Sequence, residues 1–225
     1  MTFFSELRYY AWLLAICSSL AGVQFVYSIQ FAIGGPLFNA VFQVDEDQVS
    51  YILATAGPIS GLVVQPLVGA FSDKSTFRYG RRRPFVAFGV LGAVLAMLLI
   101  AFADRIGVAL GDVPTGTSVG DHVFGLVFAI AGLWALNVCV NVVQGPARAI
   151  VADIVDSDRQ QAGNAMVSCV MGIAAIAANT IGAQFLTSDQ PYFYLFLLGS
   201  GLVLLSGVPT LVFARERCMG AAADD

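Results

Sequence analysis

GAFSDKSTFRYGRRRP, residues 69–84, decides how this chain is arranged. Lys74, Arg78, Arg81, Arg82 and Arg83 crowd one short polar stretch, and an apolar run long enough to cross a bilayer lies on each side of it. A charged side chain at the centre of a membrane helix costs roughly 2.5 to 3.5 kcal/mol on insertion scales, and short loops rich in Lys and Arg stay on the cytoplasmic side. The loop therefore marks the inside of a membrane, and the orientation of every other segment follows from it.

Composition agrees with that placement. Only 12% of the 225 residues are charged and 58% are hydrophobic, with a mean hydropathy of +0.80, whereas a soluble domain is about a quarter charged. This is the composition of an integral membrane protein. The net charge of -4 points to no nucleic-acid partner, because the acids Asp45, Glu46, Asp47, Asp104, Asp112, Asp121, Asp189, Asp224 and Asp225 fall in predicted loops or the tail. Cys17, Cys139, Cys169 and Cys218 lie in or beside apolar runs without metal-ligand spacing. Buried thiols are expected there, with no disulfide, metal or cofactor. The opening MTFFSELRYY lacks the basic start and small-residue cleavage site of a secretory signal, so the first apolar run is expected to stay as a membrane anchor.

Six segments reach the roughly 20 apolar residues that a spanning helix needs. They lie near 11–38, 48–71, 84–103, 122–147, 165–186 and 192–214. Each is expected to be a helix, because lipid offers no partner for backbone N–H and C=O groups and the short alternating strands of a barrel are absent. With the N-terminus inside, Arg8, the five loop cations, Arg148, Arg159, Arg215 and Arg217 are cytoplasmic and only Arg105 is outside. That imbalance places both termini in the cytoplasm.

The spans differ in what they carry. The first holds Ser18, Ser19, Gln24, Tyr27, Ser28 and Gln30; Tyr27 projects midway between Gln24 and Gln30, making a polar wall that serves either helix pairing or substrate contact. In the second, Gly57, Ser60 and Gly61 invite a close helix contact. The third, PFVAFGVLGAVLAMLLIAFA, is apolar all round, and the Gly-rich stretch from Asp104 to Asp121 reads as a flexible external loop. In the fourth, Asn137, Asn141, Gln144 and Arg148 recur at i, i+4, i+7 and i+11, within about 60° of arc, with Trp134 on the same face. Polar groups in a membrane face the bundle or a watery cavity, and amides, a guanidinium and an indole suit sugar hydroxyls and ring faces. Pro146 interrupts the backbone ladder just before Arg148. The fifth carries Ser168, Gly172, Ala175 and Asn179 at the same spacing, expected to pack against a neighbour, and the sixth, nearly all Leu, Val, Phe and Gly, suits an outer position.

Gly69, Asp73, Lys74, Gly80, Arg81 and Arg82 resemble the loop signature of the major facilitator superfamily, G-x-x-x-D-[RK]-x-G-[RK]-[RK], lengthened here by residues 75–79. The resemblance implies a cytoplasmic gate of charge contacts built on Asp73, Lys74, Arg81 and Arg82. AGVQF (21–25), GPISGLVVQPLVGAFSDKSTFRYGRRRPF (57–85) and NVVQGPARAIVAD (141–153) are similar to the plant sucrose transporters and their relatives. These form the sucrose:proton symporter branch, akin to the glycoside-pentoside-hexuronide:cation symporters. That likeness runs from about Ala21 to about Gln184. It implies that Arg148 helps bind sugar and that Gln24 lies near it. The family's proton-coupling Asp, eleven residues before that Arg, is Asn137 here, and an amide does not take up and release protons near neutral pH.

The expected fold is an all-α membrane protein of six transmembrane helices, one half of a major facilitator fold, itself a three-plus-three inverted repeat. The implied function is secondary active or facilitative transport of sucrose or a related glucoside by alternating access, with proton coupling left open. Gln24, Tyr27, Asn137, Asn141, Gln144 and Arg148 would contact the sugar. The alternative is a half-length, non-transporting membrane protein that assembles with or regulates a full transporter. A truncated product, or pairing with a second six-helix half, would account for six spans in place of twelve. No enzymatic constellation is present; the expected partners are sugar, protons and the bilayer, and the expected location is the plasma membrane.

Overall fold

The computed structural model describes residues 3–77, 80–185 and 191–214. Arg78, Asp189, Arg215, Arg217, Cys218, Asp224 and Asp225 lie outside them. Six long helices follow one another: α1 (Phe3–Ala40), α2 (Glu46–Asp73), α3 (Arg83–Leu110), α4 (Val123–Ile154), α5 (Gln160–Phe185) and α6 (Pro191–Phe213). Each is long and apolar enough to cross a membrane, and there is no strand among the described residues. At a rise of 1.5 Å per residue, the 38 residues of α1 extend about 57 Å, well beyond a hydrocarbon core of about 30 Å. The helix therefore extends past the hydrocarbon at one end or both.

The helices pack as two related trios. Replacing α1 by α4, α2 by α5 and α3 by α6 turns each principal contact into another: α3 on α4 becomes α6 on α1, α2 on α4 becomes α5 on α1, and α1 on α2 becomes α4 on α5. The pairs α1 with α4 and α3 with α6 map onto themselves. An odd number of spans per trio makes the second trio enter the membrane from the opposite side, so the repeat is inverted, as expected. α1 is the most enclosed helix, with Leu13, Ile16, Leu20, Ile29 and Ile33 fully buried, while α2 and α5 are the most open.

Small residues set the closest approaches. A methyl group at Gly132 of α4 would sit 2.7 Å from Ile100 Cγ1 and 3.3 Å from the Ala96 carbonyl oxygen of α3, so glycine lets these two backbones meet. Between α1 and α6 the contact is polar. The Thr210 hydroxyl donates to the Ile16 carbonyl (3.1 Å) and accepts from the Ser19 amide (3.0 Å), while the Ser18 hydroxyl donates to the Ser206 carbonyl (2.7 Å). The Ser18 side chain and the Ser19 backbone are thereby committed to helix pairing.

Three expectations are corrected. Asp104 and Arg105 do not open a flexible loop: α3 continues to Leu110 because Arg105 lies over the Phe193 ring, 4.2 Å from its centroid, and over Phe102. The connection beyond is held by its acids, as Asp112 accepts from the Phe124 and Gly125 amides at 3.0 and 2.7 Å and Asp121 accepts from the Ser118 amide and hydroxyl. In α5, Ser168, Gly172 and Asn179 are exposed rather than packed, and nothing lies within 4 Å of a methyl placed at Gly172. Cys169 shares that exposure, so of the described cysteines only Cys17 is a fully buried thiol.

Candidate functional site

The polar side chains of α4 meet α1 and α2 along one seam. Asn137 is completely buried. Its Nδ2 donates to the Leu133 carbonyl (2.9 Å), one turn back, and to Gln30 Oε1 of α1 (3.1 Å). The carbonyl can only accept, which fixes the amide: nitrogen toward the backbone, Oδ1 turned away. Asn137 Oδ1 and Gln30 Nε2 are both buried without a hydrogen-bond partner. A methyl at Gly57 would lie 3.1 Å from the Tyr27 hydroxyl and 3.5 Å from Asn137 Oδ1, so α2 leaves a small recess between those two oxygens.

One turn further along α4, Asn141 repeats the arrangement and reaches α2. Its Nδ2 donates to the Asn137 carbonyl (2.8 Å) and to Ser60 Oγ (3.1 Å), and its Oδ1 accepts from Gln65 Nε2 (2.6 Å). The same Gln65 nitrogen also donates to Gln144 Oε1 at 3.2 Å. Burial falls along the series: Asn137 is sealed, Asn141 is 6% exposed, Gln144 is half-buried, and Gln65 and Arg148 are open. The four-residue stripe is therefore not one uniform wall. Its deep half is consumed by helix pairing, and the half toward Arg148 opens outward.

The remaining expected contacts are looser. Gln24 is half-buried and donates from Nε2 to Ser28 Oγ (3.3 Å) within α1, and Tyr27 is half-buried with its ring edge-on to Phe31. Arg148 Nη2 lies 3.5 Å from Met171 Sδ of α5, a contact between two helices of the second trio. Gln30 takes the helix-pairing role that the wall of the first span allowed, whereas Gln65 was not expected in the seam. Gln65 follows Gly57 and Gly61 at the same four-residue step, so a continuation of the small-residue face was the available signal.

At one end of the bundle the charges close on each other. Arg82, 8% exposed, reaches Asp73 Oδ1 at 2.9 Å and Asp153 Oδ2 at 3.3 Å, and Arg81 reaches the same Asp153 oxygen at 2.7 Å. Of the expected gate residues, Asp73, Arg81 and Arg82 are thus brought together, with Arg82 as the shared centre and Asp153 of α4, which was not expected there, as the bridge. Lys74 caps α2 and remains exposed. Nearby, Arg159 binds Glu6 (3.0 Å) and stacks on Tyr9, joining the start of α5 to the start of α1. The ends of α2 and α4 and the starts of α1, α3 and α5 are thereby tied on one side. Among the described residues no His, Cys, Asp and Glu group could hold a metal.

A family model for the Major Facilitator Superfamily matches residues 12–220. The chain belongs to that superfamily. Its similarity to named facilitators is to sugar carriers: it is 36% identical to the sucrose transport protein SUC3 of Arabidopsis thaliana over 216 residues, covering 89% of this chain and 36% of that protein. It is 32% identical to the sucrose transport protein SUT3 of Oryza sativa subsp. indica over 226 residues, covering 92% and 44%. This facilitator chain thus spans less than half the length of those relatives, corresponding to their N-terminal half. Its fold is shared with a D-xylose-proton symporter, at a TM-score of 0.58 and 13% identity, over 91% of this chain and 47% of the symporter.

Proposed function

We propose that this chain supplies the N-terminal six-helix half of a facilitator that carries sucrose or a related glucoside by alternating access. The supporting observation is the α4 face. Gln144 is half-buried and Arg148 exposed on a helix whose neighbouring residues are apolar, and such groups are costly against lipid. A second six-helix half closing over this face would convert it into a wet, enclosed cleft at the place where facilitators hold substrate. Gln144 and Arg148 would then contact the sugar directly, Gln24 and Tyr27 would line the α1 side, and Asn137 and Asn141 would hold α4 against α1 and α2 beneath it. Both termini are cytoplasmic in this reading, the Asp73–Arg82–Asp153–Arg81 cluster closes the inner side, and the plasma membrane is the expected site. It names a carrier and no enzyme.

Asn137 bears on coupling. Its amide is held by one backbone carbonyl and one glutamine oxygen, both acceptors, and an amide has no proton to cycle near neutral pH. Uptake of labelled sucrose into vesicles bearing the complete carrier is expected, with weak dependence on an imposed pH gradient. Strong accumulation driven by that gradient would refute the uncoupled reading, and correct insertion with no uptake of any glucoside would refute carriage in favour of an accessory role. Arg148→Ala is expected to abolish uptake without affecting insertion; full activity in that variant would remove Arg148 from the site.

A further inference from the structure

Three hydrogen bonds fix the direction of every amide at the open end of the seam. The Asn137 backbone carbonyl accepts and cannot donate, so the Asn141 group facing it at 2.8 Å is the nitrogen. Asn141 Oδ1 must then face Gln65, and the Gln65 atom 2.6 Å from it must be the nitrogen. That nitrogen's second contact, 3.2 Å away on Gln144, must be an oxygen. What remains by elimination is Gln65 Oε1 and Gln144 Nε2, neither of which takes part in the seam's hydrogen bonds. One is an acceptor and the other a donor, side by side on two helices, on an exposed and a half-buried side chain.

We infer that Gln65 is a specificity-determining residue for the sugar, and that Gln65 Oε1 with Gln144 Nε2 forms a donor–acceptor pair that reads one sugar hydroxyl or two adjacent ones. A hydroxyl both donates and accepts, so it can give its hydrogen to Gln65 Oε1 and take one from Gln144 Nε2 without disturbing the bonds beneath. The same pair discriminates by chemistry. A sugar lacking that hydroxyl leaves an amide donor and an amide acceptor facing each other's substrate positions with nothing between them, and closure of the cleft would then enclose unsatisfied polar groups.

The backbone around the pair supports this role. Pro66 follows Gln65 directly, and Pro146 follows Gln144 after Gly145. Each proline removes one helical N–H bond, from the carbonyls of Leu62 and Val142 respectively. Both helices are therefore less constrained at the level where Gln65 spans them. A methyl at Gly145 would meet nothing within 4 Å, so there is room beside Gln144. The Gln65 bridge is consequently placed where bound sugar and helix movement can influence one another.

This inference rests on the carrier reading, and the following experiment separates the two. Labelled sucrose uptake is measured in vesicles bearing the complete carrier, as wild type, Gln65→Ala and Gln65→Met, with competition by sucrose analogues each lacking one hydroxyl. Loss of one neutral hydrogen bond corresponds to a change of up to about tenfold. We expect KM to rise by that order, the maximal rate to change by less than about twofold, and at least one deoxy analogue that wild type rejects to compete as well as sucrose. Because Gln65 and Gln144 act as one reader, Gln65→Met with Gln144→Met is expected to raise KM little beyond either single variant. If the Gln65 variants lower thermal stability or maximal rate while leaving KM and the ranking of analogues unchanged, Gln65 is only a bolt between α2 and α4 and the inference is overturned. If wild type itself takes up no sucrose and no glucoside, the carrier reading falls and this inference with it.

Discussion

Arg82 gives an asymmetric prediction about the charged end of the bundle. Its side chain is 10% exposed, whereas the Asp73 and Asp153 side chains that it reaches are 58% and 37% exposed. Removing the cation by Arg82→Met leaves Asp73 to water and Asp153 still bound to Arg81 at 2.7 Å, so little is stranded and the cost should be about 1 kcal/mol, near the level of exposed ion pairs. Removing both carboxylates by Asp73→Asn with Asp153→Asn has the opposite consequence. The nearly buried guanidinium then loses both of these ion-pair partners. Full burial would make that cost roughly 3–5 kcal/mol, and the partial exposure of the acids together with the residual acceptor strength of the new amides lowers it to about 2–3 kcal/mol.

Thermal unfolding in detergent, followed by the fluorescence of Trp12 and Trp134, measures both. For a chain of this size about 1 kcal/mol corresponds to roughly 2–4 °C, so the double carboxamide variant should melt about 5–10 °C below wild type and Arg82→Met only a few degrees below. An Arg82→Met variant as unstable as the double variant, or more so, would show that the arginine's packing rather than its charge environment sets the cost.

Three further outcomes follow from the packing and the seam. Gly132→Val drives a branched side chain into Ile100 and the Ala96 carbonyl and should cost at least about 1–3 kcal/mol by the same melting assay; an unchanged melt would mean that α3 and α4 are not in close contact there. Asn137→Leu strips Gln30 Oε1 of its donor inside the bundle and should cost about 1–3 kcal/mol, while Asn137→Leu with Gln30→Met removes both polar partners and should recover much of that loss; equal destabilisation by single and double variants would argue against the pairing. A maleimide should label Cys169, on the open face of α5, and spare the fully buried Cys17 in the folded protein; mass mapping that finds Cys17 modified first would contradict the order of burial.

The number and placing of the spans were legible because hydrocarbon imposes a simple rule on backbone and charge. Segment ends were less legible. The 84–103 span was read as stopping at Asp104 because a charge pair looked like the edge of the membrane, but Arg105 finds two aromatic rings, Phe102 and Phe193, and the second belongs to a helix about ninety residues away in the chain. The α5 face was misread for a related reason. Ser168, Gly172 and Asn179 have the spacing of a helix contact, but spacing does not say whether the surface in contact belongs to the same chain.

The α4 stripe shows where helical periodicity stops being informative. Asn137, Asn141, Gln144 and Arg148 share an azimuth, and azimuth is all that a 100° step supplies. Depth decides the rest. α1 crosses α4 at Asn137 and delivers Gln30, α2 crosses nearer Asn141 and delivers Ser60 and Gln65, and beyond that crossing Arg148 is exposed with Met171 Sδ beside it. Polar residues that look equivalent in sequence are thus divided into two that hold helices together and two that remain available. The buried pair is not thereby irrelevant to the open pair. Because each asparagine nitrogen is committed to a backbone carbonyl, the orientation of Asn141 dictates that of Gln65, which dictates that of Gln144. The hydrogen-bonding character offered at the open end is therefore written by the sealed end, and a substitution at Asn141 should alter which sugars are accepted even though Asn141 itself lies beneath the surface they would touch.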